Sequence, residues 1–386
     1  MRVAIVTESF IPSTNGVTNS VLRVLDHLRL RGHEAVVVCP GPAPRQYAGF
    51  PVVTVPSFRY GGLQVGLVSS AISRILDAFD PHVLHVAAPF GLGAQAVTEA
   101  RWRGIPTVAI FQTDVAGFAR KHGLSATSPV IWRWLRTVHN MADMTLAPSR
   151  PTIEDLESNG VERVREWSRG VDAVLYHPRR RATEQVRHLR ERLLAGAPED
   201  AVVVGYIGRL ASEKRVERLA RLAGRDNLRL LIVGEGPSRP ALERVFGDRA
   251  LFTGRLSGDE LGDAYAALDI FVHTGVNETF GQTLQEAMAT GLPVVAPAAG
   301  GPLDIVRVGE TGYLYAPEDD DDMAAAIDRL AADPQLRARM GEAGRRRVLP
   351  RSWEALGDQL IGHYEDAIDR VVTAPQPPRR LVNLFR

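Results

Sequence analysis

Two glutamates of this sequence lie at a predicted change from strand to helix, a position from which side chains can reach a ligand. Glu278 and Glu286, separated by seven residues, lie in the loop and the helix that follow a buried apolar strand predicted at 268–273. Phe280 and Gly281 lead into that helix, and the backbone N–H groups of a helix start favour an anionic ligand. A glutamate one turn into the helix can accept hydrogen bonds from a diol such as ribose. The pattern predicts a nucleotide-sugar site, although a plain β–α–β unit with capping and solubilising glutamates fits it equally well.

Two cations follow another predicted strand, 202–207, which opens the second half of the chain. Arg209 and Lys214 come after Gly208 at the carboxyl end of that strand, where ligands bind open α/β sheets. An arginine can hold phosphate oxygens bidentately, and a lysine adds a compact point charge. All 46 basic residues except Lys121 and Lys214 are arginine, which indicates that position 214 needs the smaller ammonium. The alternative is a solvated helix start with a chance lysine.

Three residues of the first half also follow predicted strands. Gly16 lies in the loop after the first strand, and a glycine there lets a ligand approach the backbone closely, although a simple turn explains it as well. Gln112 and Asp114 follow the strand predicted at 107–111. Asp114 can bind acceptor hydroxyls, act as a base or cap a helix. Gln112 can donate to a sugar hydroxyl but cannot accept a proton.

Two other motifs suggest different chemistry and are weaker. The run 233–239 begins like a dinucleotide fingerprint but has Arg239 at the position of the third glycine, so a structural turn is favoured. The acidic run Asp319–Asp322 precedes an alanine-rich helix, where carboxylates cap free N–H groups and complement the helix dipole. No His/Cys cluster has metal-ligand spacing. We therefore expect neither a bound metal nor a cofactor.

The elements that must position these residues alternate between β and α along most of the 386 residues. This alternation predicts two doubly wound, mainly parallel Rossmann-like domains that face a central cleft. We expect an N-terminal domain at 1–172, an interdomain connection at 173–200 and a C-terminal domain at 201–352. A helix at 353–372, which can cross back onto the first half, and a loose basic tail at 373–386 complete the chain.

Composition narrows the class of protein further. A net charge of +1 gives no support to a nucleic-acid binder, and the single cysteine, Cys39, excludes an internal disulfide and fits a reducing compartment. The first ten residues lack the apolar length of a signal peptide, and no apolar run reaches about 18 residues. We expect a cytoplasmic protein. Peripheral contact with the inner face of the plasma membrane, through arginines and through Trp132 and Trp134, is a further hypothesis.

With these residues assembled, the chain resembles the retaining glycosyltransferases of family GT4, which have the GT-B fold. The resemblance extends to about Tyr364, and its specific part is Gly208-Arg209-Leu210 with Lys214, followed by Glu278 and Glu286. It implies that Arg209 and Lys214 bind the donor diphosphate, Glu278 the transferred sugar and Glu286 the ribose. By the same resemblance, Gly16 lets the first domain approach the diphosphate and Leu256 packs against the nucleobase.

The subgroup that the chain resembles most is that of bacterial GDP-mannose-dependent α-mannosyltransferases, through residues 7–17 and 111–119. Many relatives have histidine at the position of Gln112, so only substrate contact is assigned to this residue. The resemblance implies transfer of mannose from GDP-mannose to a lipid-linked or glycan acceptor, without metal. The alternatives are a UDP-sugar-dependent transferase, a nucleotide-sugar epimerase and a non-catalytic nucleotide-sugar-binding protein. The broken fingerprint at Arg239 disfavours a nicotinamide oxidoreductase.

Overall fold

Two compact units make up the chain. The structure is a computed structural model that describes residues 1–13, 15–60, 63–112 and 128–373. One unit contains the residues up to Ser168 together with those from Leu356 onwards, and the other contains Arg169–Ala355. The tail predicted at 373–386 lies, apart from Thr373, outside the described residues.

Strands and helices alternate through both units. The strands are β1 Arg2–Val6, β2 Glu34–Pro40, β3 Gln46–Tyr47, β4 Phe50–Val55, β5 Ser57–Tyr60, β6 Leu63–Gly66, β7 Val83–Val86, β8 Thr107–Ile110, β9 Met144–Ala147, β10 Val164–Glu166, β11 Val202–Ile207, β12 Leu228–Val233, β13 Ala250–Gly254, β14 Ile270–Val272, β15 Val294–Pro297 and β16 Gly312–Tyr315. The helices are α1 Gly16–Leu30, α2 Ser70–Phe79, α3 Gly91–Arg103, α4 Ser128–Met141, α5 Arg150–Ser158, α6 Glu184–Leu194, α7 Arg239–Phe246, α8 Gly258–Ala266, α9 Gln282–Ala289, α10 Pro302–Ile305, α11 Asp320–Ala332, α12 Pro334–Val348 and α13 Trp353–Thr373.

The first unit is built on an eight-stranded sheet in the order β10-β9-β8-β7-β1-β2-β4-β3. Its neighbouring strands are parallel except for β3, which runs antiparallel to β4. The central strands β1, β7 and β8 are mainly apolar and are buried along almost their whole length, because helices cover both faces of a parallel sheet. The β–α alternation of the sequence also predicts a helix near 65–79, and the helix of the structure is shorter, Ser70–Phe79. The first residues of the predicted range belong to the β5–β6 hairpin, and the helix begins at Ser70, after the Ser69 hydroxyl caps Ala71 N–H.

Helix α13 returns the chain to the first unit from Leu356 onwards. Leu356, Leu360 and Tyr364 are buried in the core cluster that also contains residues of β1 and α1. The Tyr364 hydroxyl lies 2.7 Å from Nδ1 of His85, a buried residue of β7. Both ends of the described chain therefore contribute to one hydrophobic core, as the predicted crossing-back requires.

The second unit contains a six-stranded, all-parallel sheet in the order β13-β12-β11-β14-β15-β16. Residues 173–200, which the sequence predicts as a connection between domains, lie within this unit. The reason is that α6 is amphipathic and buries Val186 and Leu193 in the unit's core. The two Rossmann-like units agree with the predicted fold class. Among the described residues no helix combines the length and apolarity that a membrane crossing requires.

Candidate active site

The second unit's sheet places the predicted cations and Glu278 at the point where its strand order reverses. The chain proceeds from β11 to β12 and β13 on one side, and β14 lies beside β11 on the other. Parallel sheets bind ligands at such a switch point, beyond the carboxyl ends of the two central strands. The loop after β11 carries Arg209 and Lys214, and the loop after β14 carries Glu278. Sequence positions 64 residues apart are thereby brought into contact.

Lys214 and Glu278 form an ion pair. The Lys214 ammonium donates to Glu278 Oε2 at 3.0 Å, and the two side chains are only 24% and 22% exposed. Burial by itself raises the pKa of Glu278, but Lys214, with smaller contributions from His273 and then Arg169, outweighs it and lowers the pKa to about 2. Glu278 is therefore a carboxylate at neutral pH. An ammonium has three hydrogens, so Lys214 can hold this carboxylate and a phosphate oxygen at the same time.

The loop after β14 holds the backbone of Lys214 in place. The Thr274 hydroxyl donates to the Lys214 carbonyl at 2.6 Å. Gly275 comes next, and a Cβ at this position would lie 3.3 Å from Lys214 Cδ, which is tighter than ordinary contact. A glycine here lets the loop approach the lysine side chain. The position of the ammonium is thus fixed from both ends, by the Thr274 contact at the backbone and by Glu278 at the tip.

Arg209 is oriented differently from Lys214. Its side chain is 67% exposed, and its nearest carboxylate is Glu213, at 3.9 Å. The buried Tyr206 hydroxyl donates to the Arg209 carbonyl at 3.1 Å and so fixes the backbone at the end of β11. Gly208 leaves room for that hydroxyl, because a Cβ there would lie 2.8 Å from it. The structure therefore places both cations at one strand end, with only Lys214 in the ion pair with Glu278.

The start of α9 follows Glu278 closely. Phe280 is buried in the core, and Gly281 adopts φ 100°, a left-handed conformation that strains any residue with a side chain. No side chain of the described residues caps this helix start. Two further glycines pack against the segment: Gly301 N–H donates to the Glu278 carbonyl at 2.7 Å, and a Cβ on Gly300 would lie 2.4 Å from that same oxygen.

Glu286 lies one turn into α9 and is held by neighbours of its own. The hydroxyl of the buried Tyr265 donates to Glu286 Oε2 at 2.8 Å, and Gln282 Nε2 lies 3.3 Å from Oε1. The carboxylate is half-buried and oriented before any ligand arrives. Such an arrangement suits a group that must accept hydrogen bonds in a fixed direction.

Arg169, Gln285 and His273 lie near this site, and the sequence analysis assigned no role to any of them. Arg169 interacts electrostatically with Glu278, and its carbonyl accepts a hydrogen bond from Gln285 Nε2 at 2.8 Å. His273, the last residue of the predicted strand, places Nε2 3.8 Å from Glu278 Oε2. The only available signals were a polar residue ending an apolar strand, for His273, and an arginine before Gly170, for Arg169. Neither pattern is specific enough to single out a site.

The remaining predicted residues are reported by position. Leu256 is partly buried against the core of the second unit. In the first unit, Gly16 is the exposed first residue of α1, which the Asn15 side chain caps by accepting from Thr18 N–H at 3.0 Å. Gln112 follows β8 and donates to the carbonyl of Ala87, just beyond the end of β7, at 3.2 Å. Asp114 lies outside the described residues.

The acidic run before α11 caps that helix, as predicted. The Asp319 carboxylate accepts from the N–H groups of Asp321 and Asp322 at 2.9 Å each. Asp320 and Asp321 pair with Arg218 and Arg221 respectively. Over residues 1–13, 15–60, 63–112 and 128–373, no three His, Cys, Asp or Glu side chains are grouped as a metal site would require. Independence from metal stays a prediction.

Comparison with known proteins identifies the family. Residues 14–175 match the family described as Glycosyltransferase Family 4, and residues 191–347 match the one described as Glycosyl transferases group 1. A GDP-mannose-dependent alpha-mannosyltransferase of Mycolicibacterium smegmatis is 47% identical over 96% of this chain and 98% of its own. One of the same name from Mycobacterium tuberculosis is 44% identical over 97% of this chain and 98% of its own.

A solved structure supports the fold. Anabaena Alr3699/HepE in complex with UDP superposes with a TM-score of 0.78 at 18% identity, over 95% of this chain and all of that one. The family matches together cover most of the chain, and both the retaining-transferase motif and the two Rossmann-like units agree with them. The chain therefore belongs to glycosyltransferase family 4 and is a glycosyltransferase of the GT-B fold.

Proposed function

We propose that this glycosyltransferase moves a mannosyl group from GDP-mannose, with retention at the anomeric carbon, to a hydroxyl of a lipid-linked or glycan acceptor. The observation that carries the proposal is the Lys214–Glu278 pair at the switch point of the second unit's sheet. The choice of mannose and guanine rests on the relatives that bear the name GDP-mannose-dependent alpha-mannosyltransferase.

The reaction breaks the bond between the anomeric carbon and the diphosphate oxygen, and the bonding electrons leave with the diphosphate. Lys214 and Arg209 stabilise the negative charge that grows on this leaving group, and they do so more strongly in the transition state than in the ground state. Glu278, a carboxylate at neutral pH, faces the positive charge that develops on the sugar. The acceptor hydroxyl attacks on the face that the diphosphate leaves, and its proton passes to a phosphate oxygen.

Glu286 holds the donor by its ribose in this proposal. Its carboxylate is already oriented by Tyr265, so little is lost in ordering it when the two ribose hydroxyls arrive. Leu256 is assigned to the nucleobase and the backbone of Phe280 and Gly281 to the diphosphate. Gly16, Gln112 and Asp114 are assigned to the first unit's share of donor and acceptor binding.

A thermal-shift screen with GDP, UDP and the corresponding nucleotide sugars tests which donor the protein binds. A second assay, mannosyl transfer in excess EDTA, tests whether the reaction needs a metal ion. A ligand that binds only the folded state raises the free energy of unfolding. At concentrations well above Kd, the increase grows with the logarithm of the ratio of ligand concentration to Kd. We expect GDP to stabilise far more than UDP, and GDP-mannose to be hydrolysed slowly without acceptor. A preference for UDP would mean that the donor is a UDP-sugar. Formation of an epimerised sugar would indicate an epimerase. Complete absence of turnover would mean that the protein binds nucleotide sugars without catalysis. Loss of mannosyl transfer in EDTA would show that the reaction requires a metal ion.

We also propose peripheral membrane contact through α4, with a surface that differs from the one expected. Trp132 is buried in the first unit's core and Trp134 is partly buried, so neither offers its ring to lipid. Val130, Arg133 and Arg136 are exposed on the same helix. Each arginine near anionic headgroups contributes about 1 kcal/mol. We expect the wild type to co-sediment with phosphatidylglycerol vesicles and the R133E/R136E variant to remain in the supernatant.

A further inference from the structure

The buried imidazole of His273 is fixed in position beside the ion pair. Its backbone N–H donates to the carbonyl of Val295 in β15 at 2.8 Å, and its carbonyl accepts from the hydroxyl of the buried Tyr315 at 3.1 Å. The residue is 3% exposed. These contacts from neighbouring strands hold the Cα and leave the ring directed at Glu278.

The ring is polar but lacks hydrogen bonds. Neither Nδ1 nor Nε2 has a hydrogen-bond partner in the part of the chain that the structure describes. Buried side-chain polar atoms are satisfied in the large majority of cases, so an unsatisfied imidazole calls for an explanation. Burial lowers the pKa of His273 to about 4, although Glu278 and the backbone of Gly275 oppose the shift. The ring is therefore neutral at pH 7. A contact with the backbone of Gly275 falls outside hydrogen-bond geometry, so the ring N–H has no well-placed acceptor among the described residues.

Glu278 Oε2 is the atom that His273 and Lys214 have in common. Lys214 Nζ lies 3.0 Å from it, and His273 Nε2 lies 3.8 Å from it, beyond hydrogen-bond length. In the proposed function, Lys214 also binds the donor diphosphate. Lys214 has hydrogens for both partners, but attraction to a diphosphate pulls the ammonium towards the phosphate and lengthens its hydrogen bond to Glu278. The half-buried carboxylate then gains from a second donor. A movement of about 1 Å would then bring His273 Nε2 within hydrogen-bond distance of Oε2.

We propose that His273 is a positioning residue that becomes the hydrogen-bond donor to Glu278 when a nucleoside diphosphate engages Lys214. The inference rests on the proposed role of Lys214. The ring's hydrogen-bonding capacity is unused in the ligand-free protein and used in the bound one. His273 thereby keeps the Glu278 carboxylate directed at the sugar while the lysine stabilises the leaving group. The ring does not touch the substrate and transfers no proton.

A matched pair of variants separates this role from simple packing. His273→Gln keeps an N–H donor at about the position of Nε2, whereas His273→Met has nearly the same shape and no donor. In the ligand-free protein the donor is unused, so the Met variant should melt at the same temperature as the Gln variant or higher. In the presence of GDP the order should reverse. We expect GDP to bind the Met variant at least about tenfold more weakly than the Gln variant, as measured by calorimetric titration.

Turnover with GDP-mannose gives a second readout. The kcat of the Met variant should fall at least about tenfold below that of the Gln variant. Equal GDP affinities in two folded variants would overturn the proposal. A Met variant that melts below the Gln variant would also overturn it, because the ring would then stabilise the ligand-free protein. If the wild type binds GDP but transfers no mannose, the proposed function fails while the titration still decides the role of His273. If UDP binds better, the same titration is made with UDP.

Discussion

At the scale of single residues, the charge on Glu278 depends on Lys214. Burial raises the pKa of this carboxyl group, and Lys214 is the largest influence that lowers it. Removing the ammonium by Lys214→Ala should therefore raise the pKa of Glu278 and also leave the diphosphate without its buried cation. We expect kcat to fall at least about a hundredfold. The residual activity should decline with acidification over a pH range where the wild type is unaffected.

The control for that prediction is Arg221→Ala. Arg221 is an exposed cation that pairs with Asp321 at the start of α11, so its loss changes the net charge equally. Its steady-state kinetics should match those of the wild type. Near-normal donor hydrolysis and transfer by Lys214→Ala would contradict the assignment of the lysine to the leaving group.

The two glutamates should have different kinetic effects. Glu286, which Tyr265 orients, is assigned to the ribose, which changes little during the reaction, so Glu286→Ala should chiefly raise KM. Glu278 is assigned to the sugar whose charge changes, so Glu278→Ala should depress kcat more than KM. Tyr265→Phe should reproduce part of the Glu286→Ala effect. Steady-state kinetics at saturating acceptor measure both effects, and circular dichroism confirms that the variants fold. The reverse pattern would mean that the two glutamates exchange roles.

The sequence predicted which residue types gather at strand ends but not their pairing. Arg209, Lys214 and Glu278 could be named because they follow buried strands and together match the motif of the family that the chain resembles, although each alone also fitted a structural role. That Lys214 contacts Glu278 while Arg209 faces outward depends on side-chain directions, which sequence spacing does not give. His273 was missed because its importance comes from the absence of a hydrogen-bond partner among the described residues, and no sequence pattern reports that.

At the scale of elements, the loop between β14 and α9 is held by the loop that follows β15, through Gly300 and Gly301. A Cβ on Gly301 would lie 2.1 Å from the carbonyl oxygen of Phe280, a contact that real structures do not tolerate. Gly301→Ala should therefore displace the segment 278–281 and with it the Glu278 carboxylate. A displacement of about 1 Å can cost a hundredfold in rate. We expect kcat/KM to fall about a hundredfold while far-ultraviolet circular dichroism stays unchanged.

Gly362→Ala is the control for that substitution. Gly362 lies in α13, and a Cβ there meets nothing within 4 Å. Alanine should leave the kinetics unchanged and raise the free energy of unfolding by roughly 0.5–1 kcal/mol, because glycine is unfavourable inside a helix. If Gly301→Ala behaved like Gly362→Ala, the Gly300–Gly301 loop would not determine the position of Glu278.

Periodicity predicted the elements that are apolar or strongly amphipathic. The strands predicted at 107–111, 202–207 and 268–273 and helix α9 lie close to their expected positions, because burial on both faces leaves a continuous apolar run in the sequence. The last two residues of β6, Val65 and Gly66, were assigned to the helix that follows, because a four-residue strand lacks a long enough pattern to distinguish period 2 from period 3.6. Helix α6 was underestimated because its buried residues, Val186 and Leu193, are separated by mainly charged positions.

At the scale of the whole molecule, three buried neutral histidines are spread over the two units. Burial lowers the pKa of His85 to about 3 and those of His139 and His273 to about 4. In the unfolded chain each has an ordinary pKa of about 6.5. The lowered values favour the unprotonated folded state, so this contribution to stability is fully present above pH 6.5. It is lost as the pH falls towards 4, because only the unfolded chain then takes up the protons.

The free energy of unfolding should therefore decrease as the pH is lowered from 7.5 to 5, by up to about 1.4 kcal/mol per pH unit for each histidine that the unfolding transition exposes. Urea titrations at several pH values measure it. His139→Gln should reduce the slope, since it removes one of the protons taken up, whatever its effect on stability at pH 7.5. The exposed His188, changed to Gln, should leave the slope as it is. Glu8 and Asp143, whose pKa values burial raises, act in the opposite sense at the acidic end of this range. A free energy of unfolding that stays constant from pH 7.5 to 5 would show that these imidazoles titrate in the folded protein as they do in the unfolded chain, and the lowered pKa values of His85, His139 and His273 would then be contradicted.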